Sequence, residues 1–148
     1  MVSDPQYLAQ RALSKADVAG FIGLSGPYDF LPLTAKSVID TFNGDPFSSA
    51  SQPIHFVDGQ EPRMLLLHGD KDNWVWPKNA RNFAAKVTAL GGHADVMILP
   101  NTGHFSPIFQ SVRGLKGLAP GVDAAITAFI ANTNHDRSVA PLRQSSSR

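Results

Sequence analysis

Three apolar runs constrain this chain more than anything else in it. They are Val18-Ala19-Gly20-Phe21-Ile22-Gly23-Leu24, Met64-Leu65-Leu66-Leu67-His68 and Asp95-Val96-Met97-Ile98-Leu99. None alternates with polar residues as a strand with one wet face does, and each is short for a helix. A strand that is apolar on both faces must be covered on both, which is the condition of a parallel sheet flanked by helices. Breakers close the runs: Ser25-Gly26-Pro27 after the first, Gly69-Asp70 after the second and Pro100 after the third.

The segments between the runs carry helical signals. Ser3 before Asp4-Pro5 reads as an N-cap with proline in the first turn, which predicts a short helix over Gln6 to Leu13. Thr34 to Phe42 reads as a helix closed by Asn43-Gly44, and Asp45 to Arg63 as mostly loop. Pro77 opens a helix with Phe83, Val87 and Leu90 along one face, ended by Gly91-Gly92. Further helices are expected over Ile108 to Leu118 and Val122 to Asn132. The order strand, helix, strand, helix, strand, helix predicts an α/β fold of about three parallel strands with flanking helices. One unit over residues 1–132 is expected, with 133–148 a disordered tail rich in serine and other polar residues.

Composition supports this and removes several functions. Charged residues are only 17% of the 148, fewer than in an average soluble domain, as buried strands require. A net charge of +1, without a basic run or interleaved aromatics, argues against nucleic acid. The absence of cysteine excludes disulfides, thiol nucleophiles and thiolate metal sites. No apolar run approaches the roughly 20 residues that cross a bilayer, and the N-terminus lacks a signal-peptide pattern. No membrane association is therefore expected; the compartment stays open, with the cytoplasm as the default. No two histidines have the i, i+4 spacing of a zinc site, and Asp70 to Arg81 lacks the glycine and glutamate of a calcium loop.

In parallel α/β sheets ligands bind beyond the carboxyl ends of the strands. Those ends carry Ser25, the segment His68-Gly69-Asp70-Lys71-Asp72-Asn73-Trp74-Val75, and Asn101-Thr102-Gly103-His104. A carboxylate and an imidazole at neighbouring strand ends can form the pair that activates a nucleophile. The histidine takes the proton, and the acid fixes its tautomer. The interval 104 − 72 = 32 residues leaves room for one helix and one strand. Asp70 is a rival to Asp72. His68, at a strand end, reads as structural, and His55, His93 and His135 as solvated or loop residues. Trp74 and Trp76 read either as borders of a cleft or as packing under a loop.

His-Gly-x-x-Asp-x-x-Val, followed one α/β unit later by Gly-His, resembles the acid and base segments of the α/β-hydrolase family. Gly23-Leu24-Ser25-Gly26-Pro27-Tyr28-Asp29-Phe30 resembles the strand end after the nucleophile helix in its carboxylesterases of the acetylesterase, feruloyl-esterase-like and kynurenine-formamidase-like group. The resemblance runs from Pro5 to about Asn132 and implies the C-terminal portion of an α/β-hydrolase fold. It implies Asp72 as triad acid and His104 as triad base, a small-molecule ester as substrate, and no metal or organic cofactor. It also places Ser25 one strand too late to be the nucleophile. No Gly-x-Ser-x-Gly occurs in the sequence, and the His-Gly-Gly oxyanion segment is absent as well. The chain alone is therefore expected to be inactive or nearly so, with truncation the favoured explanation. Its first strand is expected to expose an edge through which the chain aggregates or forms a homodimer. The competing readings are a non-catalytic α/β binding or scaffold remnant and a prolyl-oligopeptidase-type peptidase fragment, which shares the Asp and His segments.

Overall fold

The computed structural model describes residues 2–110 and 121–139. Three strands, β1 (Phe21–Leu24), β2 (Met64–Gly69) and β3 (Ala94–Leu99), form one parallel sheet in the order β1-β2-β3. Phe21 lies beside Met64, and Met64 in turn beside Ala94. Among the described residues five α-helices accompany them: α1 (Pro5–Ala9), α2 (Lys36–Thr41), α3 (Lys78–Ala89), α4 (Ser106–Gln110) and α5 (Val122–Val139).

The absence of alternation in the second run has the physical cause expected of it. Every residue of β2 is buried. Met64 and Leu66 join Tyr28, Phe83, Ala84 and Val87 on the α3 side. Leu65 and Leu67 join Leu99, Val122 and Phe129 on the α5 side. Burying a side chain such as Leu66 or Leu67 completely stabilises the fold by about 1.5–3 kcal/mol. The long connection from β1 to β2 lies against α3 through buried polar groups. The Asn79 side-chain oxygen accepts from the Tyr28 and Asp29 N–H groups, and Gln52 accepts from the Phe30 N–H. Lys15 is buried against Asp58 and Glu61, fastening the segment before β1 to the loop before β2.

Several boundaries differ from the sequence expectation. Asp4 rather than Ser3 caps α1, its carboxylate accepting from the Gln6 N–H at 3.1 Å, and the helix ends at Ala9. β1 begins at Phe21 rather than Val18, because Lys15–Asp17 forms a 3-10 turn and Gly20 packs directly under the Phe129 ring. Two further 3-10 turns, Ser49–Ser51 and Pro53–Phe56, interrupt the expected loop. α5 continues through Val139, past the expected end at Asn132, so the helix takes in the first part of the segment expected to be a disordered tail. Most of the helix expected over Ile108 to Leu118, and the tail from residue 140, lie outside the described residues.

β1 has β2 on one side and no strand on the other among the described residues. The Phe21 and Ser25 N–H groups donate to Arg63 and Leu67 carbonyls of the neighbouring segment, so the intervening Ile22 and Leu24 direct their backbone groups away from β2. We propose that the chain associates through this edge. Light scattering over a range of concentrations is expected to show mass rising above that of one chain; a constant single-chain mass is the contrary result.

Candidate active site

The segment after β2 is folded around one carboxylate. Asp72 Oδ1 accepts from the backbone N–H groups of Trp74, at 3.0 Å, and Val75, at 2.9 Å. Such bonding to residues two and three ahead is what aspartate does in a turn, and it draws the backbone around the side chain. The Asp72 side chain is 0% exposed. Its Oδ2 faces two imidazoles, with His104 Nδ1 at 2.8 Å and His68 Nε2 at 3.1 Å.

Burial alone would push the Asp72 carboxyl up, but the His104 ring and the Val75 and Trp74 N–H groups favour the charged form and hold it below 3.8. An ionised carboxylate only accepts hydrogen bonds, so His104 Nδ1 carries the proton. Neutral His104 then keeps its lone pair on Nε2, on a side chain that is 21% exposed. This is the tautomer a general base needs.

His104 reaches Asp72 because the segment after β3 crosses directly over the end of β2. The Asp70 N–H donates to Leu99 O and the Lys71 N–H to Thr102 O, both at 3.0 Å. Asp70 Oδ1 accepts from the Thr102 N–H at 3.2 Å. The two carboxylates that sequence left as rivals thus have different partners: Asp72 meets the imidazole and Asp70 supports the turn that carries it. Gly69 makes the crossing possible. A Cβ there would strike the carbonyl oxygens of Thr102 and Gly103.

Trp74 stacks on His104, with ring centroids 5.7 Å apart and planes 23° from parallel, and Phe105 closes on both rings edgewise. Trp74 and Trp76 are nevertheless largely exposed, which fits borders of a cleft better than packing under a loop. They border a cavity of about 390 Å³ whose other walls include Pro27, Phe30, Pro32 and Lys78. Asn79 joins the two sides of this cleft, because besides holding Tyr28 and Asp29 it donates to Trp76 O at 3.0 Å.

Ser25 sits at the end of β1 with φ +50°, a conformation rare for serine. It is 2% exposed, and its buried Oγ has no hydrogen-bond partner among the described residues. It is therefore neither paired with His104 nor open to solvent. Sequence reasoning missed His68 as a neighbour of the acid. Its signal was a histidine ending a run in which every other position is buried and apolar.

The profile of the prolyl oligopeptidase family matches residues 28–131. The chain belongs to this family. Membership places it among the α/β-hydrolases, as the Asp and His segments implied, and makes it a member of a hydrolase family. Solved structures agree on the fold. A truncated carbohydrate esterase from gut microbiota superposes with a TM-score of 0.61 at 22% identity, over 80% of this chain and 43% of that one. The bifunctional GH43-CE protein of Bacteroides eggerthii gives 0.59 at 16% identity, over 82% and 16% respectively. Esterase Est2 of Thermogutta terrifontis gives 0.51 at 16% identity, over 93% and 48%. The match thus spans less than half the length of each of these structures. No curated protein matches the chain.

Two outcomes follow from the geometry in this member of the prolyl oligopeptidase family. Gly69→Ala is expected to displace the Thr102–Gly103 backbone, costing about 1–3 kcal/mol by chemical denaturation and abolishing the His104 Nδ1–H resonance in proton NMR. Acid stability should depend on Asp72. Because its folded pKa lies below the unfolded value of about 3.9, its stabilisation is fully present above that value and lost as pH falls through the folded one. Asp72→Asn should therefore lose less stability than the parent as pH falls below about 4 in acid-unfolding titrations.

Proposed function

We propose that the chain carries the acid–base half of a serine-type carboxylic ester hydrolase acting through an acyl-enzyme. The single observation that carries this reading is the His104 Nδ1 to Asp72 Oδ2 hydrogen bond of 2.8 Å. It leaves His104 Nε2 without a hydrogen-bond partner among the described residues, on a ring stacked against Trp74, which also lines the cavity. In the reaction a serine hydroxyl attacks the ester carbonyl while His104 Nε2 takes its proton. The tetrahedral intermediate collapses and expels the alcohol, which His104 protonates. Water then attacks the acyl-enzyme with the same histidine as base, and the acid and the free serine are released. Asp72 stays ionised throughout and stabilises the imidazolium. The substrate is a small-molecule ester, and its apolar part is assigned to the cavity beside Pro27, Phe30, Pro32 and Trp76.

No Gly-x-Ser-x-Gly occurs in the sequence, so the nucleophile is assigned to a polypeptide segment other than these residues. The carbohydrate esterase and Est2, which share the fold, are esterases by name, and this favours the ester as the bond cleaved. The family match favours a second reading, in which the same pair serves hydrolysis of a peptide bond, particularly after proline.

Short-chain nitrophenyl esters and prolyl nitroanilides separate these readings. The purified chain should turn over neither faster than its His104→Ala variant. A polypeptide extended upstream to include a Gly-x-Ser-x-Gly segment should hydrolyse the ester, with kcat falling about a millionfold in His104→Ala and about ten-thousandfold in Asp72→Asn. Preference for the nitroanilide selects the peptidase reading, and turnover of neither selects a scaffold remnant. Ester hydrolysis by the unextended chain that disappears in Ser25→Ala would overturn the assignment of the nucleophile.

A further inference from the structure

The mechanism above uses one of the two imidazoles that face Asp72. His68 is 0% exposed, at the end of the central strand, where a leucine-like side chain would continue the pattern of the run. Its Nε2 lies 2.7 Å from the Val75 carbonyl oxygen and 3.1 Å from Asp72 Oδ2. Both of these groups only accept, so the proton of a neutral ring must sit on Nε2. Its Nδ1 is buried without a hydrogen-bond partner among the described residues. A second proton there would be a buried donor with no partner among the described residues.

Oδ2 thus has an imidazole on either side: His104 Nδ1–H is hydrogen-bonded to it, and His68 Nε2, whose hydrogen bond goes to Val75 O, lies 3.1 Å away, while the two backbone N–H groups occupy Oδ1. We propose that His68 is a positioning residue that, as the neutral Nε2–H tautomer, divides its proton between Val75 O and Asp72 Oδ2 and so limits how strongly Asp72 draws on His104. A general base works best when neither too weak to take the proton nor too strong to return it. A second donor on the acid moderates the base without touching it. The Val75 bond ties the same ring to the backbone beside Asp72, whose position the Trp74 and Val75 N–H groups hold without it.

This inference rests on the acid–base reading of Asp72 and His104, but its test reads the side chains of the chain itself and needs no turnover. In the unmodified chain at neutral pH, ¹⁵N NMR is expected to show His68 with Nε2 protonated and Nδ1 bare. Observation of the Nδ1–H tautomer or of the imidazolium overturns the proposal, whatever any variant does. His68→Leu removes the competing donor, and the His104 Nδ1–H proton should then move downfield as its bond to Oδ2 strengthens. His68→Gln, which returns a donor at the position of Nε2, should restore the parent resonance. A ring that merely props the loop predicts the opposite for His68→Leu: an upfield shift or loss of the signal as Asp72 drifts away. That result, or no change, refutes the role. Should His68→Leu fail to fold, His68→Phe, which fills the volume of the ring without a donor, is read in its place with the same outcomes. Hydrolysis assays bear on the acid–base reading alone, so its failure and the failure of the His68 role are told apart.

Discussion

The local structure around the site is organised by the need of one buried carboxylate for partners. Asp72 has lost its water entirely, and an isolated ionised carboxylate in such surroundings would take up a proton. Three N–H groups replace the water, Trp74 and Val75 from the backbone on one oxygen and His104 on the other, and His68 Nε2 stands 3.1 Å from that second oxygen. Each partner comes from a different structural requirement. The backbone pair exists because the chain turns after β2, His68 because it ends that strand, and His104 because the turn after β3 crosses over Gly69. Loss of any one leaves the others to compensate a charge that has no access to solvent.

That dependence explains why the sheet matters for the chemistry. β2 is central and buried on both faces, so its end is held by a neighbouring segment on either side, and the acid follows it after a short turn. β3 lies parallel and in register, Gly69 beside Leu99, which brings the following loop across at the height of Asp70 and Asp72. β1 contributes no member of the hydrogen-bonded group. Its role is to deliver the Pro27 to Phe30 wall of the cavity, held by Asn79 at the start of α3. Acid and base therefore stand on the rigid part of the sheet, and the surface offered to a ligand stands on its flank.

Much of this was legible in the sequence because the physics was local or periodic. The two-sided apolar character of the Met64 run announced a covered parallel strand, and the breakers after each run located the loops where polar residues gather. The Pro77 and Gly91-Gly92 signals bracketed α3 closely. What was not legible depended on contacts distant in sequence. The start of β1 is set by Phe129 packing on Gly20, more than a hundred residues away, and no pattern around Val18 reports it. α5 runs on through polar residues whose propensities gave no reason to extend it past Asn132. His68 was legible as a residue out of place in an apolar strand, but its contact with Asp72 requires the loop to fold back on itself, which the spacing alone does not dictate.

Asp70 and Asp72 show how finely that folding decides chemistry. The two residues have the same side chain and stand two positions apart in one short turn, yet only one carboxylate can receive the Trp74 and Val75 N–H groups, because an aspartate reaches backbone two and three residues ahead and no further. The loop closes on Asp72 and buries it. Asp70, which precedes the closure, remains exposed and turns to the Thr102 N–H. An exposed carboxylate would offer His104 a partner weakened by solvent, whereas the buried one offers an undiluted charge. Yet the exposed carboxylate is not idle. By holding Thr102 it fixes the backbone two residues before His104, so the choice between the two acids comes down to a division of labour: Asp72 holds the imidazole, and Asp70 holds the chain that carries it.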